Sequence, residues 1–253
     1  MKKNIFIMAT SIALIGSASA ANIIVDFTAT GNSVADNDNG LVFSSQDLDS
    51  TGVSFDITVS AVIPDGGGAN SANSGNVARL NGGVGSRVEN TGGFVNVIAG
   101  VPEVLRFTIS NVVGLQAGQT LQLANLLSQN SSNNTNADQS GGSGATFGQQ
   151  SADSVTITLG GTSVVINQSD GGDLGSSLLL TDNGNTNNTG NTFAHGAGDL
   201  AVSNNSFFDL ALTDLNANEA VLIQGFQFAV IPEPSSTALL GLGGLAMILR
   251  RRK

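Results

Sequence analysis

The chain has 253 residues, which suits one medium-sized domain or two small ones. Charged residues make up 11% of it, against about 25% in an average soluble domain, and this argues against charge-driven disorder. Cysteine, tryptophan and tyrosine are absent and histidine occurs once. This composition excludes disulfide bonds, zinc–thiolate sites, a cysteine nucleophile and zinc sites built on two or three histidines.

The first twenty residues have the three parts of a secretory signal peptide. Two lysines at residues 2–3 precede an apolar run at residues 5–15, and Ala-Ser-Ala at residues 18–20 forms a small-x-small cleavage site. Cleavage after this site leaves Ala21 as the first mature residue. The alternative is a retained membrane helix, but the apolar run has 11 residues and a membrane span needs about 20.

The remaining body is strongly acidic. Residues 21–231 contain three arginines and eighteen acidic residues, so their net charge is −15, and they contain no lysine. Phosphate backbones and anionic lipids would be repelled by such a surface, so nucleic acid is not an expected partner. Small cations, above all Ca²⁺, are the expected counter-charges.

Runs rich in Val, Ile, Phe and Thr predict β-strands, because apolar and polar residues alternate in them with a period of two. Residues 115–127 could be helical, but their centre also alternates and favours a strand. Asn-Gly and Asp-Gly pairs mark turns at residues 39–40, 65–66, 81–82 and 183–184. The predicted strands are residues 22–29, 53–62, 104–110, 155–159, 207–212 and 220–231.

This pattern predicts an all-β fold for the body, an antiparallel β-sandwich with a jelly roll as one form of it. A β-solenoid is the alternative, but no fixed repeat of 18–25 residues supports it. We expect phenylalanines to fill the core and the last strand to lie at a sheet edge. Polar tracts at residues 128–144 and 183–191 predict exposed loops.

The sequence contains no complete enzyme motif of the kinds considered. Ser143 lies in a sequence similar to a nucleophile elbow, but Ala145 occupies the place of the second framing glycine. His195 is interpreted as a lone loop residue rather than a catalytic base. Paired carboxylates could serve a glycosidase, yet such clefts usually use Trp or Tyr, which the chain lacks. We therefore expect no enzyme.

Two acidic segments are hypothetical calcium sites. Asp47 and Asp49 begin a loop with oxygen donors spaced as in an EF-hand, but position 12 is Thr58 instead of the required glutamate. Asp170 and Asp173 flank two glycines in a second segment. An ordinary Asp-rich turn is the favoured explanation of each pattern, so the sequence predicts no cofactor and leaves calcium as a hypothesis.

The C-terminal segment, residues 231–253, has its own organisation. Pro232, Glu233 and Pro234 precede an uncharged run at residues 237–249 that contains three glycines. With the two serines before it, this run is fifteen residues and would span about 22 Å as a helix, against a hydrocarbon core of about 30 Å. Four cations follow this run, Arg250, Arg251, Arg252 and Lys253. These cations should hold the end on the cytoplasmic side.

The order of motif, short apolar segment and basic cluster resembles the PEP-CTERM sorting signal of exported Gram-negative bacterial proteins. The resemblance implies recognition by an exosortase, a membrane cysteine protease that removes the tail near Pro232, Glu233 and Pro234. It implies nothing about the body. A simple tail anchor is the alternative, and the short, glycine-interrupted segment argues against it.

Three regions result: a signal peptide at 1–20, a β-sandwich body at 21–230 and a sorting segment at 231–253. The expected protein is non-enzymatic, crosses the inner membrane, is anchored before processing and stays at the cell surface or in an extracellular polysaccharide matrix. A calcium-assisted, lectin-like binding module is the alternative function. A polysaccharide-cleaving enzyme is the third.

Overall fold

The structure, a computed structural model, describes residues 21–28, 33–34, 40–62, 77–80, 83–86, 95–98, 101–102, 104–128, 154–167, 170–174, 180, 192–213, 220–221 and 223–232. The predicted signal peptide and the predicted C-terminal hydrophobic helix lie outside these residues. So do most of the two polar tracts, although Ser128 is described and is the last residue of a strand rather than the start of a loop.

The described residues form β-strands joined by turns and irregular segments, with no helix. In chain order the strands are β1 (Ala21–Asp26), β2 (Ser33–Val34), β3 (Leu41–Ser44), β4 (Gln46–Asp47), β5 (Ser54–Val62), β6 (Val77–Leu80), β7 (Gly83–Ser86), β8 (Val95–Ile98), β9 (Val101–Pro102), β10 (Val104–Val113), β11 (Gln119–Ser128), β12 (Ser154–Leu159), β13 (Thr162–Asn167), β14 (Gly172–Asp173), β15 (Phe193–Val202), β16 (Phe207–Leu212), β17 (Ala220–Val221) and β18 (Gly225–Pro232).

Two six-stranded antiparallel sheets dominate the fold. The first has the order β14-β15-β11-β18-β1-β4 and the second has the order β13-β12-β16-β10-β5-β3. Two small sheets, β17-β8-β9 and β2-β6-β7, accompany them. The predicted antiparallel β-sandwich is therefore confirmed.

The core lies between the two large sheets and is rich in phenylalanine. In β5, and in β10 as far as Ile109, every second side chain is buried, as a period of two requires when one face of a sheet packs on a core. Phe55 of the second sheet meets Phe228 of the first edge to face, with ring centroids 4.8 Å apart. Phe107 and Phe226 pack in the same way at 4.9 Å. These contacts join the sheets and confirm the predicted role of phenylalanine.

The last strand, β18, is central rather than at an edge. It pairs with β1 on one side and with β11 on the other, so the expected edge position is wrong. Its residues from Gly225 to Val230 are all buried. On the face of the first sheet turned away from the core, Leu180 packs with Ile24 and Leu127 and lies beside Gly225. The sequence of β18 is largely apolar, and such a run does not reveal its place in a sheet.

Candidate sorting site and polar sites of the body

The sorting motif begins inside the sheet. Pro232 is the last residue of β18, lies opposite Gln119 and is exposed to solvent. On the other side of β18 the pairing ends earlier, where Ala21 lies opposite Val230. Glu233, Pro234 and the four terminal cations lie outside the described residues. The structure thus places the first motif residue at one end of the first sheet, beside the predicted first residue of the mature protein.

Packing and hydrogen bonds both hold β18 in place. Phe226 and Phe228 are fully buried in the core. On the opposite face Gln227 donates to Asn22 Oδ1 at 2.8 Å and accepts from Asn125 Nδ2 at 2.7 Å. The amide groups therefore connect β1, β18 and β11 across the sheet, in addition to the backbone pairing.

The Asp47 carboxylate closes a turn within its own loop. Its Oδ2 accepts from the backbone N–H of Gly52 at 2.7 Å and from the Thr51 hydroxyl at 3.1 Å. Partial desolvation raises the pKa of Asp47, but the hydrogen bonds from Thr51 and Gly52 outweigh it and lower the pKa below its usual range. Asp49 accepts the N–H of Asn22 at 2.7 Å and so ties the turn to β1. Both carboxylates bind the protein itself, as in an Asp-rich turn.

The second acidic segment packs against the histidine. Asp170 accepts from the Asn167 side chain at 2.9 Å, and Asp173 lies in β14 opposite Phe193. The two hypothetical calcium segments lie at opposite edges of the first sheet, since β4 and β14 are its outermost strands. Among the described residues no three His, Asp or Glu side chains come together in a way that could hold a metal ion.

His195 is a buried strand residue, so its interpretation as a lone loop residue is wrong. It lies in β15, is fully buried, and its Nε2 is 3.0 Å from the hydroxyl oxygen of Ser128, which is also fully buried. The ring covers Gly171, where an added Cβ would overlap it. The residues around His195 are small and show no clear apolar pattern, so the sequence does not indicate this strand. Ser128, the partner of His195, is 67 positions away.

Burial sets the charge state of this histidine. It lowers the pKa of His195 from 6.5 to about 4, although a backbone hydrogen bond with Asn167 and the charge of Asp170 raise it somewhat. The imidazole is therefore neutral at pH 7. Ser128 and His195 are both fully buried, and the His195 ring packs against Gly171.

The outward face of the second sheet carries a polar cluster around one aromatic ring. Arg106 donates to both carboxylate oxygens of Asp209, at 2.7 and 2.8 Å, which raises the pKa of the guanidinium. The guanidinium carbon of Arg106 lies 3.9 Å from the ring centroid of Phe207, a side chain that is 44% exposed. Thr108 lies opposite Phe207 and Ser60 lies opposite Arg106. The sequence does not reveal this cluster, because Arg106 and Asp209 are 103 positions apart.

These features define the class of protein: a double-sheet β-protein whose last central strand runs directly into a C-terminal motif. Residues 230–253 match the family model described as the PEP-CTERM protein-sorting motif. The protein therefore carries this motif, as predicted, and the motif implies export, membrane-anchored passage and processing by an exosortase, a membrane enzyme. No curated protein and no solved structure matches the sequence.

No membrane-spanning helix occurs within the described residues. The apolar run at residues 237–249 is not among them, so its helical form stays a prediction.

Proposed function

We propose that this protein is a non-enzymatic envelope protein, cut from its membrane anchor by an exosortase and kept at the cell surface or in the extracellular matrix. The match of residues 230–253 to the sorting motif carries the proposal. The position of Pro232 supports it, since an exposed residue at the end of a sheet is accessible to a membrane enzyme. The Ser128–His195 pair supports the non-enzymatic part, because both of its side chains are fully buried.

Expression of the full-length protein in strains with and without the exosortase tests the proposal. We expect the tail to be lost and the protein to leave the inner membrane only where the enzyme is present. Glu233→Ala changes the sorting motif itself, whereas Glu219→Ala removes an acidic residue elsewhere in the sequence and serves as its control. Equal tail retention in both strains, or equal processing of Glu233→Ala and the wild type, would contradict sorting.

A second function, glycan contact, is favoured by the polar cluster around Phe207. Glycan binding sites combine an aromatic surface with hydrogen-bonding groups, and here a half-exposed ring lies beside a guanidinium, a carboxylate and hydroxyl groups. The charges of Arg106 and Asp209 neutralise each other. An uncharged polysaccharide can therefore bind here without the cost of removing water from a net charge. The proposed partner is thus a neutral extracellular polysaccharide, bound without calcium.

Affinity electrophoresis in gels containing dextran, hydroxyethyl cellulose or glycol chitin tests this second function. We expect the wild-type protein to be retarded and Phe207→Ala to lose most of the retardation. Leu48→Ala is the control, because Leu48 is 43% exposed, as much as Phe207, and follows β4 at the edge of the other large sheet. If none of the proteins is retarded, or if all three are retarded equally, glycan binding at this cluster is refuted.

A further inference from the structure

The edges of the two large sheets differ in length and charge. β4 and β14, the edges of the first sheet, have two residues each, and each strand contains an aspartate, Asp47 or Asp173. Short strands and charged side chains are common means of keeping a sheet edge from pairing with another chain. β13, an edge of the second sheet, has six residues, no charge and no proline, and it pairs with β12 without a bulge. This edge therefore lacks the usual protection.

The other edge of the second sheet is less suited to pairing. β3 has four residues, and Asp47 follows three positions after its end. A partner strand longer than β3 would therefore meet a carboxylate. Of the four edges, β13 is the one that offers a long uncharged strand.

Part of the backbone of β13 points away from the sheet. β12 and β13 form a hairpin with a two-residue turn at residues 160–161, and in such a hairpin the residue after the turn, Thr162, exchanges both backbone hydrogen bonds with the partner strand. Every second residue repeats this, so the backbone groups of Ser163 and Val165 point outwards. Among the described residues no strand pairs with β13 on that side, and the Val165 side chain is 52% exposed.

The charge around this edge favours a second copy of the chain as its partner. Residues 154–167, which form the hairpin, contain no charged residue, although the body has a net charge of −15. The nearest acidic residues in the chain, Asp153 and Asp170, lie outside this run. Two copies can therefore meet along β13 without placing like charges directly opposite each other, which would be destabilising.

The strand is also complementary to itself. If two copies of β13 lie antiparallel about a two-fold axis at Val164, Ser163 of each copy lies opposite Val165 of the other, and each of these two pairs exchanges both backbone hydrogen bonds. The Val164 side chains stay on the core side, against which Val164 already packs. A two-fold contact uses the same residues in both copies, so it ends with two copies and does not continue into a fibre.

We infer that two copies of this chain pair through β13, so that the second sheet of one copy continues into the second sheet of the other. The inference goes beyond the proposed function and requires neither processing of the tail nor glycan binding. The contact has six residues on each side, against about 20–30 in a standard interface, so the dimer is weak and forms where copies are concentrated. In the dimer the two β16 strands, which carry Phe207, are about 24 Å apart, because five strand spacings separate them.

Cysteine cross-linking in cells tests the inference, because the chain has no cysteine of its own. Full-length Val165→Cys is expressed in its host, treated with a short, membrane-permeant bismaleimide and examined on a denaturing gel. The two substituted residues would be diagonal neighbours, about 7–8 Å apart, which is within reach of the linker. Val113→Cys is the control, since Val113 is 57% exposed and lies at the end of β10.

We expect a cross-linked dimer of Val165→Cys that is at least five times as abundant as that of Val113→Cys, and mass spectrometry should find residue 165 of one copy joined to residue 165 of another. No dimer, or equal amounts from the two variants, would overturn the inference. A product that joins residue 165 mainly to a different protein would overturn it as well.

A charge placed on the edge tests whether strand pairing makes the contact. Ser163→Cys, cross-linked in the same way, reports the dimer while position 165 is changed. We expect Val165→Lys to lower the yield of this dimer at least tenfold, because it places two ammonium groups close together across the axis. Val113→Lys adds the same charge elsewhere and should leave the yield unchanged. Both substituted positions are exposed, so the fold should tolerate them. Equal yields with Val165→Lys and Val113→Lys would overturn the inference.

Discussion

Position 171 requires glycine because the His195 ring occupies the space beside it. A Cβ added at Gly171 would overlap the ring, with Nδ1 only 2.8 Å away. We expect Gly171→Ala to lower the free energy of unfolding by about 1–3 kcal/mol, since extra atoms in a packed interior force shifts of this cost. Chemical denaturation measures the change.

The neighbouring glycine is a close control for this substitution. An added Cβ at Gly172 would meet only the carbonyl oxygen of Ala194, at 3.9 Å, which is ordinary contact. Gly172→Ala should therefore change the free energy of unfolding by less than about 1 kcal/mol. Equal effects at the two positions would contradict the packing of His195 on Gly171.

His195 should make the stability fall in mild acid. Its pKa is lowered from 6.5 to about 4 on folding, so the unfolded protein binds the proton more tightly. The stabilisation is complete above pH 6.5 and is lost as the pH falls towards 4. This difference in pKa corresponds to a loss of roughly 3 kcal/mol in the free energy of unfolding once His195 is fully protonated.

Urea unfolding of the wild type and His195→Gln at pH 7.5, 5.5 and 4 measures this contribution. The variant removes the imidazole but keeps every carboxylate, including the nearby Asp170, so the difference between the two curves isolates the histidine. We expect the wild type to lose more stability than the variant between pH 7.5 and 4. Parallel loss in both proteins would show that carboxylates alone cause the acid sensitivity.

At the scale of single residues, the sequence predicts contacts between residues that are close in the chain, but not contacts between residues that are far apart in it. The turn at Asp47 is recognisable because its partners Thr51 and Gly52 lie within five positions. Ser128 and His195 meet only because β11 and β15 are neighbours in the sheet. A pairing across 67 positions leaves no local pattern in the sequence.

At the scale of elements, the period of two predicts strands that face the core on one side. It locates β5, β10, β12 and β16 closely, and it favours a strand where β11 is found. A turn is also predicted at residues 81–82; these two residues lie outside the described ones, and on either side of them Leu80 pairs with Gly83. Alternation and turn chemistry are local properties, so one sequence reveals them.

Two strands, β13 and β15, are not among the predicted ones, for different reasons. β13 follows the pair Gly160-Gly161, whose φ angles of 56° and 88° suit a two-residue hairpin turn. A Gly-Gly pair between two β-rich runs is a usable hairpin signal, and it could have located β13. β15 offers no such signal, since its alanines and glycines make a weak apolar pattern, and it is stabilised by pairing with β11 and β14, which are distant in the sequence.

The central place of β18 makes the fold depend on its C-terminal strand. Residues 21–232 contain the complete first sheet, whereas residues 21–224 lack β18 and leave β1 and β11 without a common neighbour. We expect the first fragment to melt cooperatively at the temperature of the full-length protein without its signal peptide. We expect the second to show no cooperative transition.

Circular dichroism during heating distinguishes these outcomes, and a third fragment, residues 21–230, serves as a control. It lacks only Ile231 and Pro232, which are half-buried and exposed, and it should melt within a few degrees of the first. A cooperative transition in residues 21–224 would show that β18 is dispensable.

At the scale of the whole molecule, the body carries a net charge of −15 and no lysine. Like charges at this density repel each other in the compact state, and dissolved salt screens them. Raising the sodium chloride concentration from about 10 mM to about 500 mM should therefore raise the melting temperature. Differential scanning calorimetry measures the change.

The same experiment with divalent cations separates screening from a specific site. Because Asp47 and Asp49 already accept hydrogen bonds from the protein, we expect Ca²⁺ and Mg²⁺ to raise the melting temperature equally at equal ionic strength. A larger shift with Ca²⁺, lost in Asp47→Asn, would support the calcium hypothesis and contradict this expectation.

The antiparallel pairing of Ala21 with Val230 places Ala21 and Pro232 at the same end, or pole, of the first sheet. A chain held at either of these two residues therefore presents the rest of the body on one side of its attachment. The opposite pole, which bears Ser128, His195 and the Gly171 turn, is about 20 Å away along β18. On an anchored protein that distal pole is the part that neighbouring molecules meet first.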